Sequence, residues 1–135
     1  MVGILIVTHR HLAEALLSAA DLISGRMEKV VAVSLDPNGP PEDARQQIAE
    51  GLGRLNGSSG ILILTDMFGG TPSNLSLSFL QEGQIEVITG VNLPMLIKVH
   101  HLRQGSQKNL REMALILQTS GRQGITVASE LLHNK

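Results

Sequence analysis

Short apolar runs alternate along this chain with stretches whose apolar residues recur at helical spacing. Val2–Val7 is a continuous apolar run, the pattern of a strand covered on both faces. Leu12, Leu16, Ala20 and Ile23 then recur at helical spacing, and Gly25 stands where a helix C-cap is expected. Val30–Leu35 reads as a second strand. Asp36 to Pro41 reads as a turn leading into a polar amphipathic helix over Pro41–Leu55, with Ala44, Ile48 and Leu52 on its apolar side. After the loop from Asn56 to Gly60, Ile61–Thr65 is the third strand, Pro72–Leu80 a helix and Ile85–Thr89 the fourth strand. Pro94–Leu102 and Leu110–Thr119 predict two further helices, Gly124–Ala128 a short late strand, and Glu130–Lys135 an exposed tail.

Strands alternating with helices imply parallel βαβ units, hence an α/β three-layer sandwich around a mostly parallel, doubly wound sheet. The common order for such a sheet is 2-1-3-4, with its switch point between the first and third strands. The late segment needs a sheet edge and its own tail is too short for a hairpin, so exchange between two copies of the chain is a low-cost way to cover it. No repeat or interdomain linker breaks the pattern, so a single domain over 1–135 is expected.

Composition narrows the function. The chain has 135 residues, 42% of them hydrophobic and 17% charged, which suits one compact core rather than a disordered chain. Eleven Lys and Arg against twelve Asp and Glu leave a net charge of -1, with no basic excess for nucleic acid or an anionic membrane. Phe68 and Phe79 are the only aromatics, too few to stack bases. Cysteine is absent, so thiolate chemistry and disulfides are excluded, which fits a reducing compartment. The opening residues lack a basic leader, and no apolar run reaches the ~18 residues of a membrane span. A cytoplasmic location is the expectation.

Two strands end in titratable residues. Ile4-Leu5-Ile6-Val7-Thr8 leads into His9, and Ile61-Leu62-Ile63-Leu64-Thr65 leads into Asp66, followed by Met67-Phe68-Gly69-Gly70-Thr71-Pro72-Ser73-Asn74. The order 2-1-3-4 makes these strands neighbours, so His9 and Asp66 would face each other at the crevice beyond the strand ends. Thr71-Pro72 reads as an N-cap followed by the first helical position, with Gly69 and Gly70 leaving amides unscreened for an anion. An imidazole that accepts phosphate needs one bare nitrogen, while the other donates its proton, and Asp66 suits that acceptor role. His11, two residues on, falls on another helix face, so the His-x-His spacing does not suit a metal, and none is expected. His100, His101 and His133 are expected at the surface.

Three segments, Val7-Thr8-His9 with Leu12 to Leu17, Leu64 to Asn74, and Thr89-Gly90-Val91-Asn92-Leu93-Pro94-Met95-Leu96, resemble the mannose-family IIA component of the bacterial sugar phosphotransferase system, in family order. The resemblance implies that His9 accepts phosphate from the carrier HPr and passes it to a IIB partner without a cofactor. It implies that Asp66 hydrogen-bonds the histidine and that the turn of Gly69, Gly70, Thr71 and Ser73 assists at the phosphate. It also implies a homodimer with a late antiparallel strand exchanged, which Gly124–Ala128 fits, and membrane contact only through IIC and IID partners. Many members have glycine after the histidine; Arg10 stands here.

Rival classes are weaker. A receiver domain shares the strand order, but its aspartyl phosphate needs Mg²⁺ held by acids after the first strand, where this chain reads Thr8-His9-Arg10. No G-x-x-x-x-G-K-[ST] phosphate loop and no G-x-S-x-G elbow occurs. A regulatory anion-binding module would not require His9. The phosphotransferase subunit of a dihydroxyacetone kinase system shares fold and chemistry, but Phe68-Gly69-Gly70-Thr71-Pro72 favours the sugar-transport family.

Overall fold

A computed structural model describes residues 1–36 and 38–133. Pro37 of the expected turn and the last two residues of the expected tail lie outside them. The elements are β1 (Gly3–His9), α1 (Leu12–Ser24), β2 (Val30–Leu35), α2 (Pro41–Arg54), β3 (Ile61–Thr65), α3 (Thr71–Leu77), β4 (Ile85–Thr89), α4 (Leu93–Gln104), α5 (Leu110–Gln123) and α6 (Ala128–His133). Four parallel strands form one sheet in the order β2-β1-β3-β4.

The central strands are apolar throughout because both of their faces are covered. Ile4 and Ile6 of β1 with Leu62 and Leu64 of β3 pack under α1, α4 and α5. Leu5 and Val7 with Ile63 pack on the other side, under α2 and α3. Each such fully buried side chain contributes about 1.5–3 kcal/mol. Gly51 brings α2 down onto the sheet, since a methyl group there would stand 2.7 Å from Leu5 Cδ1.

Helix starts and stops follow local hydrogen bonding. Thr8 Oγ1, at the buried end of β1, accepts from the Ala13 amide at 2.7 Å and so caps α1 from outside the helix. Gly25, at φ +82, closes α1 with its amide on the Asp21 carbonyl. Asn92 caps α4 by accepting from the Met95 amide at 3.0 Å and ties it to α5 by donating to the Gly121 carbonyl at 2.9 Å.

Three expectations need correction. The inward face of α1 is Ala13 and Ala20 with half-buried Leu16 and Leu17; Leu12 and Ile23 are exposed. The buried stripe is itself helically spaced, at Ala13, Leu16, Leu17 and Ala20, and it is the one that packs against the sheet. Helix α3 ends at Leu77 rather than Leu80, because the amides of Ser78, Phe79 and Leu80 bond three residues back and the Ser78 hydroxyl takes the Leu75 carbonyl. The strand expected over Gly124–Ala128 is not formed in the single chain: Gly124 ends α5, residues 125–127 carry no strand pairing, and Ala128 begins α6. A strand needs a sheet edge beside it, and this segment reaches none of its own.

Candidate functional site

The site lies past the carboxyl ends of β1 and β3, at the switch point of the sheet. Parallel pairing sets Val7 opposite Thr65, so the next residues along each strand enter the same crevice. Asp66 Oδ2 accepts twice from His9, from its backbone amide at 3.0 Å and from ring Nδ1 at 2.8 Å. Asp66 Oδ1 accepts from the Met67 amide at 3.0 Å. One carboxylate oxygen thus serves the turn that follows, and the other belongs to His9.

Burial works to raise the Asp66 carboxyl, whose side chain is 13% exposed. The His9 amide and ring outweigh it, and the group is held below its ordinary value. An ionised carboxylate can only accept, so His9 Nδ1 carries a hydrogen toward it, and in the neutral imidazole Nε2 is then the nitrogen with the bare lone pair. That nitrogen faces the Gly-Gly turn. A methyl group on Gly70 would stand 3.1 Å from Nε2 and 2.7 Å from Cε1. The glycine allows the turn to touch the reactive edge of the imidazole.

The turn beside Nε2 is rich in backbone amides. Those of Gly69, Gly70, Thr71 and Ser73 meet no acceptor among the described residues. Gly69 sits at φ +88, where a side chain is strained. The helix N-cap is Gly70 rather than Thr71, whose hydroxyl makes no capping bond; Pro72 follows in the first turn, where it loses nothing. Ser73 also departs from expectation. Its side chain is wholly buried, with the hydroxyl 2.5 Å from Thr65 Oγ1 and donating to the Met67 carbonyl. The hydroxyl thus ties α3 to the end of β3 and shapes the turn rather than lining the crevice.

Other candidates fall outside. His11 is exposed, with Nδ1 3.9 Å from Glu14 Oε2. His100 meets Gln104 on α4, and His101 is exposed beside it. Among the described residues, no three His, Asp or Glu side chains stand close enough to hold a metal ion, and no helix is long and apolar enough to cross a membrane. Met67 and Phe68, 55% and 73% exposed, form an apolar rim beside the site. The pattern of the sequence carried no signal for Thr8, nor for the Thr65–Ser73 pair. Nor did it show that Arg10 takes φ +48, a left-handed conformation costing a non-glycine residue about 1–2 kcal/mol.

The domain thus carries a histidine–carboxylate pair and an amide-rich turn at the switch point of an open α/β sheet. The family model described as "PTS system fructose IIA component" matches residues 3–115, and the chain belongs to that family. It is 32% identical over 125 residues to the mannose-specific EIIAB component of Escherichia coli (strain K12), covering 92% of this chain and 38% of that protein. The chain thus spans well under half of that relative's length. It is 29% identical over 133 residues to the fructose-specific EIIA component of Bacillus subtilis (strain 168), covering 98% of this chain and 90% of the relative. Its fold matches the crystal structure of phosphotransferase system component EIIA from Streptococcus agalactiae with a TM-score of 0.85 at 29% identity, covering 96% of this chain and 99% of that one.

Proposed function

We propose that this protein is a phosphocarrier that takes a phosphoryl group from phospho-HPr onto His9 Nε2 and hands it to a IIB component of a mannose-family sugar phosphotransferase system. The observation that carries the reading is the 2.8 Å bond from His9 Nδ1 to Asp66, with Nε2 left bare against Gly70. In transfer, the donor's phosphorus–nitrogen bond breaks as the bond to Nε2 forms. Asp66 stabilises the positive charge that grows on the ring. The amides of Gly69, Gly70 and Thr71 meet the phosphoryl oxygens, aided by the positive end of α3. Ser73 acts indirectly, by holding the turn that presents those amides. A cytoplasmic location follows from the partners.

The same proposal includes a homodimer. β4 is an open edge strand, flanked by a groove of about 490 Å³ lined by Phe68, Val87, Thr89, Arg122 and Ile125 among others. The tail beyond α5 exposes Ile125, Val127, Leu131 and Leu132. Exchange of residues 125–127 between two copies would cover both an open edge and an apolar tail.

Incubation with phosphorylated HPr tests the carrier reading. The chain should gain an acid-labile, alkali-stable label that His9→Ala abolishes and His11→Ala leaves intact. A label lost in alkali or hydroxylamine would place the phosphate on a carboxylate and overturn it.

A further inference from the structure

Only two non-glycine residues among those described adopt left-handed backbone conformations, Arg10 at φ +48 and Lys29 at φ +54. The side chain of Lys29 is put to use, since Nζ donates to the Asn56 carbonyl at 3.3 Å. That of Arg10 is not. Its backbone amide is fixed on the Leu35 carbonyl at 2.9 Å, but its guanidinium is exposed and meets no acceptor among the described residues. A glycine would take this turn without strain, so the backbone gives no reason for an arginine here. Strain of this kind, next to a reactive residue and uncompensated in the free protein, points to an interaction made in another state.

The surroundings indicate which one. The carboxyl-end rim of the sheet carries acidic residues: Asp66 follows β3, Asp36 follows β2, Glu14 lies in the first turn of α1, and Glu42 and Asp43 lie in that of α2. A phosphoryl group on His9 would add further negative charge to that rim. The amides of the turn offer partial charges only. Arg10 is one peptide unit from His9, with Cα atoms about 3.8 Å apart. Its side chain is long enough to bring a full, forked positive charge to the oxygens of a group on the neighbouring ring.

We propose that Arg10 is a phosphate-binding residue of this chain, whose guanidinium closes on the phosphoryl group once it is on His9 and holds the equilibrium toward the phosphorylated form. This rests on His9 being the acceptor. The source of the phosphoryl group does not matter to it, since the contact is made to the bound group and not to the donor.

The test measures how label divides at equilibrium between HPr and wild-type, Arg10→Gln, Arg10→Gly and Arg10→Lys chains, at low and high salt. The Gln and Gly variants should each hold about tenfold less phosphate relative to HPr, as expected for loss of a charge-assisted contact. Lys should recover part of the difference, and the wild-type advantage should shrink as salt rises. Arg10→Gly should also unfold at a higher temperature, which separates the lost contact from the relieved backbone. Equal partition in wild type, Gln and Gly overturns the proposal. A change in transfer rate with partition unchanged also overturns it, and assigns Arg10 to partner docking instead. Failure of the wild type to take label on His9 is a different result, and sinks the carrier reading itself.

Discussion

Gly70→Ala should separate the chemistry of the site from the stability of the fold. Gly70 sits at φ −88 and ψ 170, extended backbone that alanine adopts freely. Its added methyl would stand 2.7 Å from His9 Cε1, about 0.8 Å short of an ordinary carbon–carbon contact of ~3.5 Å. The imidazole is the movable partner, because its side chain is 42% exposed and the turn is tied down through Ser73. A 0.8 Å shift away from the turn can stretch the 2.8 Å bond to Asp66 to about 3.6 Å, past the limit of a hydrogen bond. Misplacement on this scale costs transfer about 10²-fold. Stability should stay within ~1 kcal/mol, because alanine also reduces the freedom of the unfolded chain. Gly69→Ala is the control with the opposite signature. At φ +88 and with open space around a new methyl, it should lose about 1–2 kcal/mol of stability while leaving the ring in place. Rapid-quench transfer from phospho-HPr, paired with urea unfolding, reads both quantities. A Gly70→Ala protein that transfers at the wild-type rate would refute the contact argument, as would equal slowing by Gly69→Ala.

Two further perturbations follow from the geometry. Asp66→Asn keeps the shape but removes the charge that orients His9, so transfer should slow by ~10²–10⁴ while the fold persists; near-normal transfer would remove Asp66 from the mechanism. The same substitution has a pH signature. The carboxyl is held below its unfolded value of 3.8, so its stabilisation is complete above that pH and is lost as pH falls through the folded value, a loss that acid titration should find in wild type and not in the Asn variant. Ending the chain after Gly121 should weaken or dissolve the dimer by sedimentation, and a full-length chain that sediments as a monomer at micromolar concentration would count against exchange.

The strands were readable because a strand covered on both faces has no room for polar residues. β3 begins and ends where its apolar run does, and the edge strands β2 and β4 keep their expected bounds although they carry Ser34 and Glu86. The pairing of His9 with Asp66 was readable for a related reason, since the sheet order that brings their strands together also sets where ligands bind. What escaped was decided by hydrogen bonds of single side chains. A hydroxyl in a turn can face a ligand or its own backbone, and nothing in Thr71-Pro72-Ser73-Asn74 says that Ser73 turns inward to Thr65 and Met67. Nor does the spacing of Leu12, Leu16, Ala20 and Ile23 reveal that Thr8 bonds the first turn of α1, or that Leu12 and Ile23 stay exposed. The late apolar segment is consistent with a strand in its residues alone, but in the single chain no sheet edge lies beside it.

The two residues of the pair lie 57 positions apart, joined only through the β1–β3 register. Neighbouring residues along a strand are ~3.3 Å apart, and a slip of one residue also turns every side chain to the opposite face. A misregistered or half-folded chain would therefore hold its histidine and its aspartate out of reach of each other. Under the proposed carrier function such a copy would be silent: it could not draw phosphate from the donor and lose it to water. Acquisition of label thus doubles as a proofreading signal for the completed sheet. Two fragments divided in the loop before α2 should become labelled only when they reassemble.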